Sequence, residues 1–325
     1  MAPPPSIAGT AEAPGFLDLL DVTTPRISVA VPDTVLRGIG LIVLSTVFFS
    51  AGDVVAKFAT ATLPAVEVTW MRYVVFAMLV VPAAFLAHGR RALATARPSL
   101  QALRALAVVG SSVLFMEGVQ HLQVAEATAI NFLSPIFITA LSIPFLGEKV
   151  GLHRWAAAGL GFLGVMLVVR PGSDAFQMAA LYPVASAMVW SVAAITTRMM
   201  SSERPELTLA WSALIGLVAL SLLVPFVWRT PNLHEIGFGI LTGVFSTMGH
   251  WLLVRGYRLA PASVLAPFSY VQLLFAGLLG FAAFGIIPGI WTVAGGLVIA
   301  ASGLYTAHRE RVRAVRTGGA AAAHA

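Results

Sequence analysis

The chain contains no cysteine. That excludes disulfides, cysteine–zinc sites and thiol catalysis. Charge is also scarce: Asp, Glu, Lys and Arg make up 10% of the 325 residues, against roughly 25% in a soluble globular protein. A water-facing shell cannot be built from so few. No Gly-x-Ser-x-Gly, His-Glu-x-x-His or phosphate loop occurs. The Gly52-Asp53 pair has Ser at position 50, and beyond the amino-terminal tail the only other Asp is Asp174. An intramembrane aspartyl enzyme needs two carboxylates sharing a proton, so the pattern argues against that alternative.

What is present is apolar. Hydrophobic residues make up 58% of the chain and the mean hydropathy is +0.88. Lipid is therefore the expected solvent for most of it. The net charge of +6 does not imply nucleic acid, because the basic residues lie between apolar runs, as in proteins oriented in a bilayer. A bilayer core of about 30 Å takes about 20 helical residues. Runs of that size fall near 36–58, 65–87, 101–120, 125–146, 152–170, 179–199, 208–228, 235–256, 262–284 and 288–307. The expectation is an all-α membrane protein of ten transmembrane helices. Residues 1–33 read as a disordered tail, and 308–325 as a basic, flexible tail near anionic headgroups.

Orientation can be tested by counting. With both ends cytoplasmic, sixteen of the 20 Lys and Arg fall inside and three outside (Lys57, Arg170 and Arg229), with Arg72 inside a span. That asymmetry fits an even number of spans. The two halves also resemble each other: QHLQVAEATAINFLSPIF overlays YRLAPASVLAPFSYVQLLF, with Leu122 over Leu259, Ala125 over Ala262 and Ala129 over Ala266. Five spans per half is an odd number, so the second half, 173–307, should be inverted relative to the first, 34–172. Loop charges agree: Glu148, Lys149, His153 and Arg154 flank the fourth connection, while its counterpart at 286–290 has none. Inverted repeats are a common plan of secondary transporters, with the site between the halves.

These features, with WMRY at 70–73, NFLSPIF followed by FLGEKV, and LAPASVLAPFSYVQLLF, resemble the drug/metabolite transporter superfamily and within it the EamA family. The similarity spans about residues 36–308. The family's second half usually has Gly-Glu after the ninth helix. Here Gly285 is followed by Ile286, which puts in doubt any scheme that needs both acidic loop residues. The resemblance implies secondary transport of small organic solutes across a bacterial inner membrane, often export. Substrates in the family include amino acids, riboflavin and drugs, with exchange or proton antiport as coupling. No organic cofactor or metal is implied.

The candidate site residues are the polar groups inside the spans. Asp53 and Lys57 lie one turn apart on one helix face. They form either an interfacial ion pair or a cavity carboxylate tuned by a lysine. Arg72 is more than one turn inside the second helix and needs an anionic partner: Glu117, Asp53 or a substrate carboxylate. His250 is either a hydrogen-bonded core histidine or a proton-coupling group. Asn131, Tyr270 and Gln272 can orient a ligand or join helices. Trp70, with Trp190, Trp211 and Trp251, can wall a flat ligand or anchor at the interface. Pro135 and Pro267 occupy similar places in the two halves and can kink their helices. The expected partners are a small amphipathic solute such as an amino acid (a riboflavin-like molecule next), the lipid bilayer, and protons if transport is coupled.

Overall fold

The computed structural model describes residues 33–148, 150–171, 177–259 and 265–322. The tail 1–32, Lys149, Asp174 and Ala262 lie outside the described residues. Hydrocarbon offers backbone groups no partner, so the apolar runs close their hydrogen bonds internally, and no strand occurs among the described residues. In chain order the helices are α1 (Asp33–Thr60), α2 (Ala65–His88), α3 (Pro98–His121), α4 (Val124–Asn131), α5 (Ser134–Leu146), α6 (Leu152–Val169), α7 (Leu181–Met199), α8 (Pro205–Leu223), α9 (Leu233–Leu259), α10 (Val271–Phe284) and α11 (Ile290–Ala322). Seven stretches are long and apolar enough to cross a bilayer: α1, α2, α3, α4 with α5, α7, α8 and α9. Three shorter apolar helices, at 155–169, 268–284 and 290–305, lie where the fifth, ninth and tenth spans were expected.

One expectation needs correction. The fourth span is not one helix: α4 ends at Asn131, and α5 starts at Ser134 with Pro135 in its first turn. Proline brings no N–H, so the carbonyl four residues earlier loses its helical donor. The chain crosses the gap with tighter i→i−3 bonds, Leu133 N to Ile130 O at 3.0 Å and Ile136 N to Leu133 O at 2.9 Å. The second half repeats the device, with a 3₁₀ turn at Ala266–Tyr270, Pro267 near its start, ahead of α10. The backbone of the basic carboxyl-terminal stretch continues α11 as helix to Ala322. Its Arg and Ala residues are good helix formers and extend a turn already nucleated by the apolar part.

Packing repeats when the halves are exchanged. α1 packs on α9 as α7 packs on α3; α2 on α9 as α8 on α3; and α1 on α10 as α7 on α5. α2 meets its counterpart α8, and α6 meets α11. The α6–α11 contact is close because Gly164 stands against the other backbone: a Cβ there would lie 2.8 Å from the Gly295 carbonyl oxygen and from Ile299. Small residues permit such approach.

Let the near end of the bundle be the one where α1 begins, and the far end the one where it turns into α2. At the near end the Arg97 guanidinium donates to the Met199 carbonyl, Ala96 N donates to Glu203 Oε1 (3.1 Å) and Trp211 Nε1 to Leu93 O (3.1 Å). At the far end the Arg229 guanidinium donates to the Thr62 carbonyl, Arg229 N to Glu67 Oε2 (3.0 Å) and Trp70 Nε1 to Ser221 Oγ (2.9 Å). The same three links occur with halves exchanged and ends reversed.

Candidate functional site

On α2, Met71 and Val75 press on Gly239 and Gly243 of α9, while Tyr73 presses on Gly216 of α8. At 3.6 residues per turn, positions 72 and 76 then point between those contacts. They reach the interior. The Asp53 side chain on α1 faces the Gln272 side chain on α10 and lies within electrostatic range of Arg72. Ser50 Oγ donates to the Gln272 backbone carbonyl (3.3 Å), a second link between α1 and α10. Counting 1.5 Å per residue from the α1–α2 turn, Asp53 and Arg72 both sit about 10 Å below the far end.

His250 on α9 borders this group. Its Nδ1 lies 2.9 Å from the Ser246 carbonyl. Its ring meets Phe49 edge-on at 4.9 Å and Phe76 at 5.9 Å, and it is within electrostatic range of Arg72 and Arg104. Tyr73 has its ring centre 5.8 Å from the Arg72 guanidinium carbon. Asp53, Arg72, His250 and Gln272 thus form one polar group drawn from both halves of the chain. Arg72 is half-buried and makes no hydrogen bond among the described residues.

Lys57 does not pair with Asp53. Its Nζ donates to the carbonyls of Val119 (2.9 Å) and Leu122 (2.7 Å), where α3 ends. The last carbonyls of a helix lack intrahelical donors, and a cation suits the negative end of the helix dipole. Its nearby acid is Glu126, which also closes a capping box with Gln123 at the start of α4.

Glu117 does not reach Arg72 either. It lines an open far-end groove of about 520 Å³ with Thr62, Gln120, His121 and Arg229. A second cavity of about 280 Å³ shares His121 and includes Glu126. Trp70 bonds Ser221 and stands at 82° to Trp228, so it ties α2 to the end of α8, away from Asp53. Trp211 likewise holds Leu93, and Trp251 stacks under Arg255 at 4.1 Å. The Tyr270 ring stacks on Phe132 at 4.9 Å and covers Gly303. Asn131 sits at the break between α4 and α5, and its Oδ1 is buried without a partner, as is Thr128 Oγ1 one turn earlier.

Arg104 is a functional candidate that sequence reasoning passed over as a loop charge. It lies inside α3, where Nε donates to Thr197 Oγ1 (2.8 Å) and Nη1 to the Thr208 carbonyl (3.3 Å) and to Ser212. These bonds join α3 to α7 and α8 toward the near end. The signal was present: Arg104 stands more than one turn beyond Pro98, inside an apolar run. No group of three His, Asp or Glu placed to hold a metal occurs among the described residues.

The S-adenosylmethionine uptake transporter of Rickettsia felis is 26% identical over 86% of this chain and 95% of its own length. The riboflavin transporter of Vibrio cholerae is 28% identical over 74% of this chain and 82% of its own. The pseudopaline exporter CntI of Pseudomonas aeruginosa is 26% identical over 82% and 94%. One crystal structure superposes with a TM-score of 0.60 at 18% identity, covering 84% of this chain and 96% of that one, a likeness of fold. The sequence model of one family matches twice, over residues 36–170 and again over 177–307. The chain is thus a multi-pass small-molecule transporter, and it belongs to the EamA-like transporter family.

Proposed function

We propose that the chain is a secondary carrier that moves a small zwitterionic metabolite, such as an amino acid, across a bacterial inner membrane by alternating access. The observation that carries this reading is the Asp53–Arg72–Gln272 group. It is charged, draws on both halves, and offers a guanidinium that makes no hydrogen bond among the described residues. A guanidinium recognises a carboxylate through two parallel bonds. Arg72 grips the carboxylate of the solute, and Asp53 balances its charge when the site is empty. Asn131 Oδ1 and Gln272 supply neutral groups to orient the ligand. Asp53 and His250 are the groups to carry a proton if transport is coupled to one.

Residues 34–172 and 173–307 act as two inverted halves. The doubled family match and the exchanged hydrogen bonds support this division. The basic residues gather at the near end, which supports cytoplasmic termini. Both cavities described open at the far end, while Arg104 bridges three helices toward the near end. That difference supports a state open to the outside. The second reading is a flat solute of riboflavin type, favoured by the Phe49, Phe76 and His250 rings around the group.

The test is purified protein in liposomes, assayed for net and exchange flux of a metabolite mixture with and without a pH gradient. Flux of carboxylated amines that falls at least tenfold in Arg72→Ala is the expected result. Carboxylated solutes carried by Arg72→Ala at the wild-type rate overturn the substrate assignment. Flux of riboflavin alone selects the second reading. No substrate-dependent flux at all overturns both.

A further inference from the structure

The break between α4 and α5 presents more hydrogen-bond acceptors than the protein answers. Thr128 Oγ1 and Asn131 Oδ1 are both buried and have no partner among the described residues. Thr128 as a whole is only 2% exposed. The two positions are three apart on α4, so their side chains share one face. The backbone adds two more oxygens. Pro135 brings no N–H to the Asn131 carbonyl, and Leu133 N donates to the Ile130 carbonyl in place of its helical partner, Ala129. These carbonyls stand at the carboxyl-terminal end of α4, the negative end of its dipole. The break also touches the other half: the Phe132 ring stacks on Tyr270 at 4.9 Å, at the end of the 3₁₀ turn Ala266–Tyr270. Two residues further on, Gln272 faces Asp53.

A buried acceptor without a donor is costly, so several at one place point to a ligand. A water molecule has two protons to give, fewer than the four oxygens at this edge. A cation can take them all. The set is a hydroxyl, an amide and two carbonyls, all neutral and all oxygen. It lacks the carboxylates that a calcium or magnesium ion calls for and the thiolate or imidazole groups that suit transition metals. The nearest acid along the chain, Glu126, is engaged with Gln123 N and Thr292 Oγ1. Interrupted membrane helices can hold sodium through unwound carbonyls and helix carboxyl-terminal ends. We propose that Thr128 Oγ1, Asn131 Oδ1 and the freed carbonyls of Ala129 and Asn131 form a binding site for a sodium ion. Asn131 then orients the solute through the ion that it holds. The inference rests on the carrier reading only for the use of the ion, as the coupling ion of transport. Its binding is measured without any flux.

The probe is sodium chloride, set against choline chloride at the same ionic strength, choline being too large to enter a helix break. The full chain in a neutral detergent is expected to bind radioactive sodium saturably, with displacement by unlabelled sodium and none by choline. Sodium should also raise the unfolding temperature saturably, by about 2–4 °C, where choline does not. Thr128→Val and Asn131→Leu should each weaken sodium binding at least tenfold. Each replaces an unanswered polar atom by an apolar group of similar shape, so both should unfold in choline no earlier than the wild type. That comparison separates loss of the ion from loss of the fold. Asn131→Asp, which puts carboxylate oxygens in the same place, should retain binding. Absence of displaceable sodium on the wild-type protein overturns the inference, as does sodium binding that survives both Thr128→Val and Asn131→Leu. Neither result bears on the Arg72 assignment, and a liposome experiment without solute flux leaves the sodium measurement standing.

Discussion

Arg97 and Arg229 do the same task at opposite ends of the molecule. Each guanidinium crosses from one half to the other and donates to a carbonyl where a helix has just ended, Met199 for Arg97 and Thr62 for Arg229. Each sits beside a carboxylate that accepts a backbone N–H in the same loop, Glu203 at the near end and Glu67 at the far end. These clasps hold the loop after α2 over the turn after α7, and the loop after α8 over the turn after α1.

Removing one clasp should loosen one end only. Arg97→Ala is expected to raise labelling of single cysteines placed near Met199 and leave those near Thr62 unchanged, with Arg229→Ala doing the reverse. Because both bonds are partly exposed, each should contribute only about 0.5–1 kcal/mol to stability. The double variant should show the sum, as sites this far apart add. Thermal unfolding of the four proteins in detergent checks the sum, and a large coupling between the two sites would show that they are not independent clasps.

Asp53 and Lys57 should part company under mutation. Lys57 satisfies the carbonyls of Val119 and Leu122, so Lys57→Met leaves two helix-end acceptors without a donor and should cost about 1–3 kcal/mol of stability. Asp53→Asn keeps a group able to bond Gln272 and should unfold near the wild-type temperature, yet lose flux. Unfolding temperature and liposome flux, measured on both variants, separate the two roles. Equal loss of stability in both would return them to a single ion pair.

Arg104 should govern the near end. Its bonds to Thr197, the Thr208 carbonyl and Ser212 join α3 to two helices of the other half. Arg104→Ala is expected to increase solvent access near Thr197 and to decrease it in the far-end cavity, as the population shifts toward the opposite state. Hydrogen exchange in nanodiscs, read peptide by peptide, tests this; greater access at both ends would indicate plain destabilisation.

The α6–α11 contact offers a sharp steric test. Gly164→Ala places a methyl 2.8 Å from the Gly295 carbonyl oxygen and from Ile299, and overpacking of this kind costs about 1–3 kcal/mol. Gly159→Ala, on the same helix, meets nothing within 4 Å and should be neutral or slightly stabilising, since Ala is the better helix former. A comparison of unfolding temperatures decides the matter.

Much of this molecule was legible in the sequence because a bilayer leaves a chain few choices. Apolar runs of span length must be helical. The halves could be aligned through residues such as Ala129 and Ala266 and through loop charge alone. The break after Asn131 was less legible: Pro135 marked a kink, but not that the chain would end one helix and start another. The intramembrane polar groups were legible by type and not by partner. Asp53 and Arg72 stood out as charges in apolar runs, and Glu117 stood out equally, though it belongs to a different cavity.

The sequence by itself determined an all-helical protein in lipid, a repeated plan and a short roster of buried polar groups, because spacing along one helix and the cost of charge in hydrocarbon are local properties. Only the tertiary structure decided who meets whom. Asp53 lies four residues from Lys57 yet faces Gln272, more than two hundred residues away, since the direction of a side chain depends on which helices its own helix packs against. That is fixed by contacts such as Gly239 on Met71 and Gly216 on Tyr73, which no single stretch of sequence contains.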